Sequence, residues 1–329
     1  MDEYFNIQEK SLVKHKKWGI DGSTLKLAAI TIMLIDHTAA TVLGRILQKT
    51  DNYNGLLNSI YIVMRLIGRL AFPIFCFLLV EGMIHTHNRL KYAMRLAVFA
   101  IISEIPFDLA LFGKPFYLHY QNVFFTLLIG LLVLIGFHKI AEQWKDKKWL
   151  RVLAFLGVLL TGNMLAYLIR YGCDIFSSYL SYFGVHLNLV ISNRGYLILS
   201  VEFTVLLLLL YLLSFKRERD VTASILLADL AVLIIGMRAA QFGMTDYGLF
   251  GILTIAVLYS LRKNHTKSMA GACIVLTVLS YSEAISFLDL ILIKFYNGKK
   301  GLGLKYVFYA FYPAHLFVLY LVCRFMGLV

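Results

Sequence analysis

The stretch LKLAAITIMLIDHTAATVLGRIL, residues 25–47, decides what kind of protein this is. About twenty predominantly apolar residues suffice for a helix to cross a bilayer. Asp36 and His37 nevertheless lie in the middle of this stretch. A charged side chain at that depth costs roughly 2.5 to 3.5 kcal/mol, so it normally faces protein or a wet cavity and has a function.

The whole chain has the composition of a polytopic helical membrane protein, with 60% hydrophobic residues and four prolines among 329 residues. We predict an all-α fold of about ten transmembrane helices around a polar central cavity. Residues 1–24 form a polar amino-terminal tail, and residues 25–329 form a single transmembrane domain. The spans are predicted at about 25–47, 58–84, 90–112, 117–138, 150–170, 195–214, 221–242, 246–262, 268–294 and 304–326.

Basic residues in alternate loops predict the orientation, because cytoplasmic loops are enriched in Lys and Arg. With an even number of spans, both termini are predicted to be cytoplasmic. Lys299 and Lys300 are the exception, and they leave open whether span 268–294 is one tilted helix or two short ones. The net charge of +13 then reflects topology and contact with membrane lipids, and no nucleic-acid partner is expected.

Polar groups recur at matching depths in several other spans. Three of the spans also hold a proline, which frees a backbone carbonyl that protein or a watery cavity must satisfy. We expect these groups to converge on one cavity, with Arg69 held by Glu104 or Asp108. The alternative is that such pairs only join helices. The candidate residues are Asp36, His37, Arg65, Arg69, Glu104, Asp108, Asn122, Lys305, Tyr309 and His315.

Several motifs along the chain closely resemble the TraX family of integral membrane proteins. The motifs are LKLAAITIMLIDH (25–37), GRLAFPIF (68–75), SEIPFD (103–108), QNVFFT (121–126), DYG (246–248), YNGKKG (296–301), KYVFY (305–309) and YPAHL (312–316). Family members are named for acetylation of a conjugative pilin, and the family looks related to the acyltransferase-3 and heparan glucosaminide acetyltransferase groups. Residues at about 145–220 depart from the pattern and are interpreted as an insertion.

The resemblance implies an acetyltransferase of the bacterial inner membrane that uses acetyl-CoA as donor. The acceptor would be a hydroxyl or amine at the outer face, on a pilin, polysaccharide or cell-wall glycan. His37 is the predicted base or acetyl carrier, because histidine accepts and donates protons near neutral pH. Asp36 is the second predicted catalytic residue, and it supports His37 or instead holds Arg69 or another supporting group. Arg65, Arg69 and the other candidate residues would bind the acceptor. Basic residues near the cytoplasmic face would hold the CoA phosphates, namely Lys26, Arg89, Lys91 and Arg95.

Two other functions remain open from the sequence. A transporter or flippase of a polar glycan would also use buried ion pairs and broken helices. A subunit of a conjugation complex without chemistry would need a large partner-binding region. The four cysteines show no paired spacing, so neither a disulfide framework nor a metal site is expected.

Overall fold

The computed structural model describes residues 19–51, 53–143, 147–182, 184–187, 189–216, 220–303 and 305–329. Helices account for nearly all regular structure within these ranges, which confirms the all-α prediction. Among the described residues, seven helical stretches are long and apolar enough to cross a membrane, and two shorter apolar helices accompany them. The count of ten spans stays a prediction.

The helices are numbered α1 to α13 in chain order. They are α1 (Gly22–Thr38), α2 (Gly44–Thr50), α3 (Leu56–Gly68), α4 (Ala71–Ile84), α5 (Arg89–Phe112), α6 (Val123–Gln143), α7 (Lys147–Tyr182), α8 (Asn193–Lys216), α9 (Asp220–Phe242), α10 (Gly248–Ser260), α11 (His265–Leu279), α12 (Asp289–Lys294) and α13 (Lys305–Phe325). A π-helical segment, Ala39–Leu43, joins α1 to α2, and a 3₁₀ helix, Tyr281–Leu288, joins α11 to α12.

The chain divides into two compact units. The first contains residues 1–132 and 239–329, and the second contains residues 133–238. In the second unit, Ala154, Val158 and Leu227 form a buried apolar cluster with Tyr211. The division into an amino-terminal tail, one domain and an insertion stays a prediction.

The predicted span 268–294 is a hairpin rather than one crossing. His265 begins α11, and Tyr296 follows α12, yet their rings lie 5.4 Å apart. Both also meet Glu81 near the end of α4: the Tyr296 hydroxyl donates to Glu81 over 3.1 Å, and His265 Nε2 lies 3.7 Å from Glu81 Oε1. The chain therefore enters and leaves on the same side, which selects the two short helices over the single tilted one.

The turn after this hairpin lies beside the start of α1. The Ile20 amide donates to the Phe295 carbonyl over 2.9 Å, and the Gly22 amide donates to Lys299 over 2.8 Å. Asp21 caps α1, and hydrogen bonds from the Ser23 hydroxyl and the Thr24 amide hold the pKa of its carboxyl below the usual range. Lys299 and Lys300 thus share the side on which the first membrane helix begins, as the charge rule requires.

The carboxyl end of the chain lies at the opposite end of the first membrane helix. Lys49, in the last turn of α2, donates to the Gly327 carbonyl over 3.1 Å, and Val329 lies against Gly113 after α5. Gly19, the first described residue, is next to the other end of that helix. Gly19 and the carboxyl end therefore lie at opposite ends of the helical stretch Gly22–Thr50. The prediction that both termini are cytoplasmic stays a prediction, because residues 1–18 lie outside the described residues.

Candidate functional site

A histidine in the last turn of α1 meets a histidine in the middle of α13. His37 Nδ1 lies 2.7 Å from His315 Nε2, and the two rings are nearly parallel with centroids 5.0 Å apart. The Tyr312 ring stands edge-on to His37, with centroids 5.8 Å apart. The expectation that His37 and His315 converge is confirmed.

The hydrogen bonds of this pair assign its tautomers. His315 Nδ1 lies 2.7 Å from the Phe311 carbonyl, which can only accept, so Nδ1 carries the proton. The Nε2 atom of a neutral His315 is then an acceptor, and His37 Nδ1 must donate to it. A neutral His37 is left with an unprotonated Nε2, which is the atom that a base or an acyl carrier uses.

The helices are irregular where the histidines lie. The π-helical segment begins two residues after His37, and the Thr41 hydroxyl donates to the His37 carbonyl over 2.6 Å. Pro313 lies inside α13, two residues before His315. Single π turns and prolines break the regular backbone pattern and are frequent at functional sites in membrane helices. In the sequence, Pro313 indicates the irregularity in α13. We recognise no sequence signal for the π segment.

Asp36 pairs with Arg65 rather than with His37. Arg65 Nη1 lies 2.6 Å from Asp36 Oδ2. Gly68 allows this approach, because a Cβ there would overlap the Asp36 side chain. Asp36 Oδ1 is buried and accepts no hydrogen bond from any described residue. Adjacent helical residues point about 100° apart, so His37 and Asp36 face different partners.

Arg69 pairs with Glu283, which corrects the prediction of Glu104 or Asp108. Arg69 Nη1 lies 3.0 Å from Glu283 Oε1, and the Arg69 side chain also hydrogen-bonds to Tyr247. Arg69 itself lies between α3 and α4, where the predicted span 58–84 is broken. Glu283 is supplied by the 3₁₀ helix, in the predicted span 268–294 that the sequence left open as one tilted helix or two short ones.

The carboxylates of α5, Glu104 and Asp108, hydrogen-bond to the turn that follows α5 and not to Arg69. Glu104 accepts a hydrogen bond from the Asn122 side chain, which also donates to the Ala100 carbonyl over 2.9 Å. Asp108 Oδ2 accepts from the Tyr117 amide over 2.6 Å. These contacts position the turn between α5 and α6. A substrate-binding role for Glu104, Asp108 and Asn122 stays a prediction.

A cavity of about 450 Å³ opens beside Arg69 and Glu283. The turn between α9 and α10 forms much of its wall, and Tyr120 from the turn before α6 contributes its hydroxyl, which donates to Asp246 Oδ1 over 2.6 Å. Tyr247 also lines it and stacks on Phe72, with centroids 3.6 Å apart. The site prediction missed Tyr120, Asp246, Tyr247 and Glu283, although DYG at 246–248 carried part of the family resemblance.

Basic residues gather around the start of α13, on the side of the 296–301 turn. Lys26 Nζ lies 5.5 Å from the centre of the Phe308 ring, and Lys300 acts on Lys26 electrostatically. Arg95 hydrogen-bonds to Tyr309. Tyr309 therefore lies beside these basic residues. We call Lys26, Arg95 and Lys300 the inner basic group.

Three of the predicted residues add little to this picture. Arg89 and Lys91 lie in the first turn of α5, which Asn88 caps by accepting from the Lys91 amide over 2.8 Å. Lys305 begins α13, and its side chain lies outside the described residues. The roles predicted for all three in binding CoA or acceptor stay predictions.

The fold and the site together define a multi-pass membrane protein. Its site contains a histidine pair and two arginines, each of which forms an ion pair with a carboxylate. The sequence matches the family described as TraX protein over residues 21–176 and 178–323, so the chain belongs to the TraX family. It is also similar to "Probable fimbrial assembly protein FimC, serogroup H1" of Dichelobacter nodosus, at 36% identity over 118 residues. That match covers 34% of this chain and 44% of the relative, so the chain spans under half of the relative's length. No solved structure matches the chain.

Proposed function

We propose that the chain transfers an acetyl group from cytosolic acetyl-CoA to a hydroxyl or amine of an acceptor at the outer face of the bacterial inner membrane. The observation that carries the proposal is the histidine pair, which leaves His37 Nε2 as an unprotonated nitrogen within the membrane domain. Family members are named for pilin acetylation, and a relative is named for fimbrial assembly, which makes pilin one candidate acceptor.

His37 has two possible roles in this reaction. As a general base, Nε2 takes the proton of the acceptor O–H or N–H while that atom attacks the thioester carbonyl. As a carrier, Nε2 attacks first, holds the acetyl group and passes it to the acceptor. In both routes His315 holds the tautomer, and CoA leaves as the free thiol once its sulfur has taken a proton.

Acyl transfer also needs a group that stabilises the developing oxyanion. Arg65 lies within electrostatic range of His37, and its guanidinium has further N–H donors beyond the one that binds Asp36. A fixed cation in a water-poor site stabilises such a charge more than water does. Arg65 is therefore the proposed oxyanion donor, and Asp36 is the residue that positions it.

The inner basic group suits a ligand that carries several phosphates. Lys26 and His37 are eleven residues apart in α1, so about 16 Å of helix rise separates them. A long, thin arm such as that of CoA would be needed to bring an acyl group from the basic residues to the histidine. Acetyl-CoA, when bound, supplies the activated acetyl group.

The proposed acceptor site is the cavity lined by Arg69, Tyr120, Asp246 and Tyr247. Hydroxyl, carboxylate and guanidinium groups there offer donors and acceptors for a polar acceptor. The Tyr247 ring offers an apolar surface. This lining fits either a sugar hydroxyl or an amine.

The test uses purified protein in sealed vesicles with acetyl-labelled acetyl-CoA and an envelope fraction as acceptor. We expect covalent label on an envelope component, with a matching amount of free CoA. A Lys26→Gln, Arg95→Gln double variant should raise the KM for acetyl-CoA, whereas Lys49→Gln, at the other end of the helix, should not. Absence of covalent label with every acceptor fraction tested would contradict the proposal.

The broken hairpin from α11 to α12 favours transport of a polar glycan as the second candidate function, because half-helices in membranes often line transport pathways. The same vesicles separate the two functions. Movement of an unmodified glycan into the vesicle lumen without covalent label would favour the transporter.

A further inference from the structure

Three polar side chains form a stripe along the 3₁₀ helix of the hairpin. Glu283, Ser286 and Asp289 are spaced three residues apart, and side chains three apart eclipse one another in a 3₁₀ helix. Their exposed fractions are 1%, 0% and 0%. Glu283 and Ser286 lie in the eight-residue 3₁₀ helix, and Asp289 follows it directly as the first residue of α12, so the three buried side chains succeed one another along the hairpin.

The stripe holds more hydrogen-bonding capacity than its surroundings use. Glu283 Oε2, Ser286 Oγ and both carboxyl oxygens of Asp289 are buried, and no described residue donates to or accepts from them. The hydroxyl of Ser286 is a separate sign from the two acids, because a buried hydroxyl is ordinarily hydrogen-bonded. These oxygens also do not hydrogen-bond to one another, so their capacity is open to a small ligand.

The charged and titratable neighbours differ along the stripe. At one end, Glu283 is neutralised by Arg69 and also lies within range of Asp36, Asp246 and Tyr247. At the other end, Asp289 is within range of Cys273 from α11, whose thiol donates to the Ser286 carbonyl over 3.3 Å. No cation contacts Asp289 among the described residues, and an ionised carboxylate buried in this way would be very costly.

A proton fits the site better than a metal ion does. The described ranges contain no group of three or more His, Cys, Asp or Glu side chains arranged to hold a metal. A proton needs only one oxygen, and a line of oxygens can pass it along. Glu283 also lines the cavity, which gives the stripe an entrance from water.

We propose that Asp289 is a proton-binding site that is loaded from the cavity through Glu283 and Ser286. None of these oxygens is in hydrogen-bond contact with another, so water between them carries the proton. Glu283 Oε2 takes a proton from cavity water and gives it to a water held by the Ser286 hydroxyl, and that water passes a proton on to an Asp289 oxygen. Each oxygen keeps its electron pairs, and the net change is one proton moved from water to Asp289. The site would give the protein a neutral, proton-carrying acid deep in the hairpin.

Infrared difference spectroscopy of the wild type and Asp289→Asn tests the binding site directly. We expect the C=O stretching band of a protonated carboxylic acid at neutral pH, and its loss in Asp289→Asn. Asp220→Asn is the matched control, because Asp220 accepts a hydrogen bond from Arg151 and therefore has a cationic partner. A band of equal intensity in wild type and Asp289→Asn would overturn the proposal. A wild-type band that appears only when Na⁺ is withdrawn would overturn it in favour of a sodium site.

The route is tested by transferring the protein to D₂O. The Asp289 band should shift as O–H becomes O–D, and Ser286→Ala should slow that shift while Ser286→Thr restores it. An unchanged exchange rate in Ser286→Ala would refute the route. This variant keeps Asp289, so it also allows the band to be measured if Asp289→Asn fails to fold. The readout is the carboxyl group itself and is independent of acetyl transfer.

Discussion

The two units of the chain use the same apolar helices in different ways. Within residues 133–238, α7 runs for 36 residues without interruption and buries clusters of small and aliphatic side chains. The unit formed by residues 1–132 and 239–329 contains the π segment, the 3₁₀ helix and all four prolines. Irregular backbone in a membrane domain persists only where protein or a cavity satisfies it, so the first unit is the one built around polar groups.

The largest expected effect concerns the hairpin that distinguishes the first unit. Epitope tags placed at Gly298 and after Val329 should be accessible from opposite sides of the membrane, an all-or-none result. The physical reason is that α11 and α12 enter and leave on one side, so α13 must cross. If both tags were accessible from the same side, residues 268–294 would have to cross the membrane as a single helix.

The next effect compares one histidine from each unit. His37→Ala should lower acetyl transfer by roughly two to four orders of magnitude, the usual consequence of losing a general base, while binding of CoA persists. His138→Ala is the matched control in the second unit, where His138 pairs with Glu142 one turn away, and it should leave transfer unchanged. Transfer assays with labelled acetyl-CoA measure both. Normal activity in His37→Ala would mean that another residue supplies the reacting atom.

His315 should matter less than His37, because it acts through the His37 tautomer. Leucine at position 315 removes the acceptor for His37 Nδ1, and we expect a loss of about tenfold to a hundredfold, mainly in kcat. Glutamine at 315 can place an acceptor oxygen where Nε2 lies, so His315→Gln should recover part of the rate. Equal rates for the leucine and glutamine variants would contradict the assigned tautomer.

A comparison of ion pairs tests whether the first unit depends on its buried charges. Arg69→Gln or Glu283→Gln alone should lower the free energy of unfolding by about 3 kcal/mol, and the double variant should lose less than the sum. The Arg151–Asp220 pair of the second unit spans 3.3 Å with Arg151 half exposed, so neutralising it should cost about 0 to 1 kcal/mol. Thermal unfolding of the four single variants and the two double variants gives both coupling energies. Additive effects at Arg69 and Glu283 would mean that the pair is not formed.

The smallest expected effect on activity comes from replacing one glycine by alanine in each unit. A Cβ at Gly68 would overlap Asp36, and a Cβ at Gly157 would overlap the Leu227 backbone. Both alanine variants should therefore be less stable. Only Gly68→Ala should also slow transfer per folded molecule, by about tenfold, because it displaces the residue that positions Arg65. Equal activity losses in the two variants would show that Asp36 has no special part in the reaction.

Some of the site could be predicted from the sequence. His37 and Arg65 were identified because an ionisable residue stands out within an apolar span, and antiparallel threading put His37 and His315 at the same depth. The partner of Arg69 could not be found this way. Glu283 lies in the stretch YSEAISFLDL at 281–290, which contains neither proline nor glycine. The spacing of its apolar residues does not predict that the α-helix ends there. The available signal was two acids and two serines within ten residues of an apolar span.

The sequence by itself determined the class of protein: apolar stretches of sufficient length and their basic flanks make membrane helices, and the motifs carry the family resemblance. The tertiary structure alone decided which charges meet, because several acids at similar depth compete for each arginine and the choice depends on which helix is broken. It also decided that residues 268–294 form a hairpin, because His265 and Tyr296 meet at the same end of it. The reacting nitrogen of His37 was decided in the same way, because its tautomer depends on a carbonyl 274 residues further along the chain at Phe311.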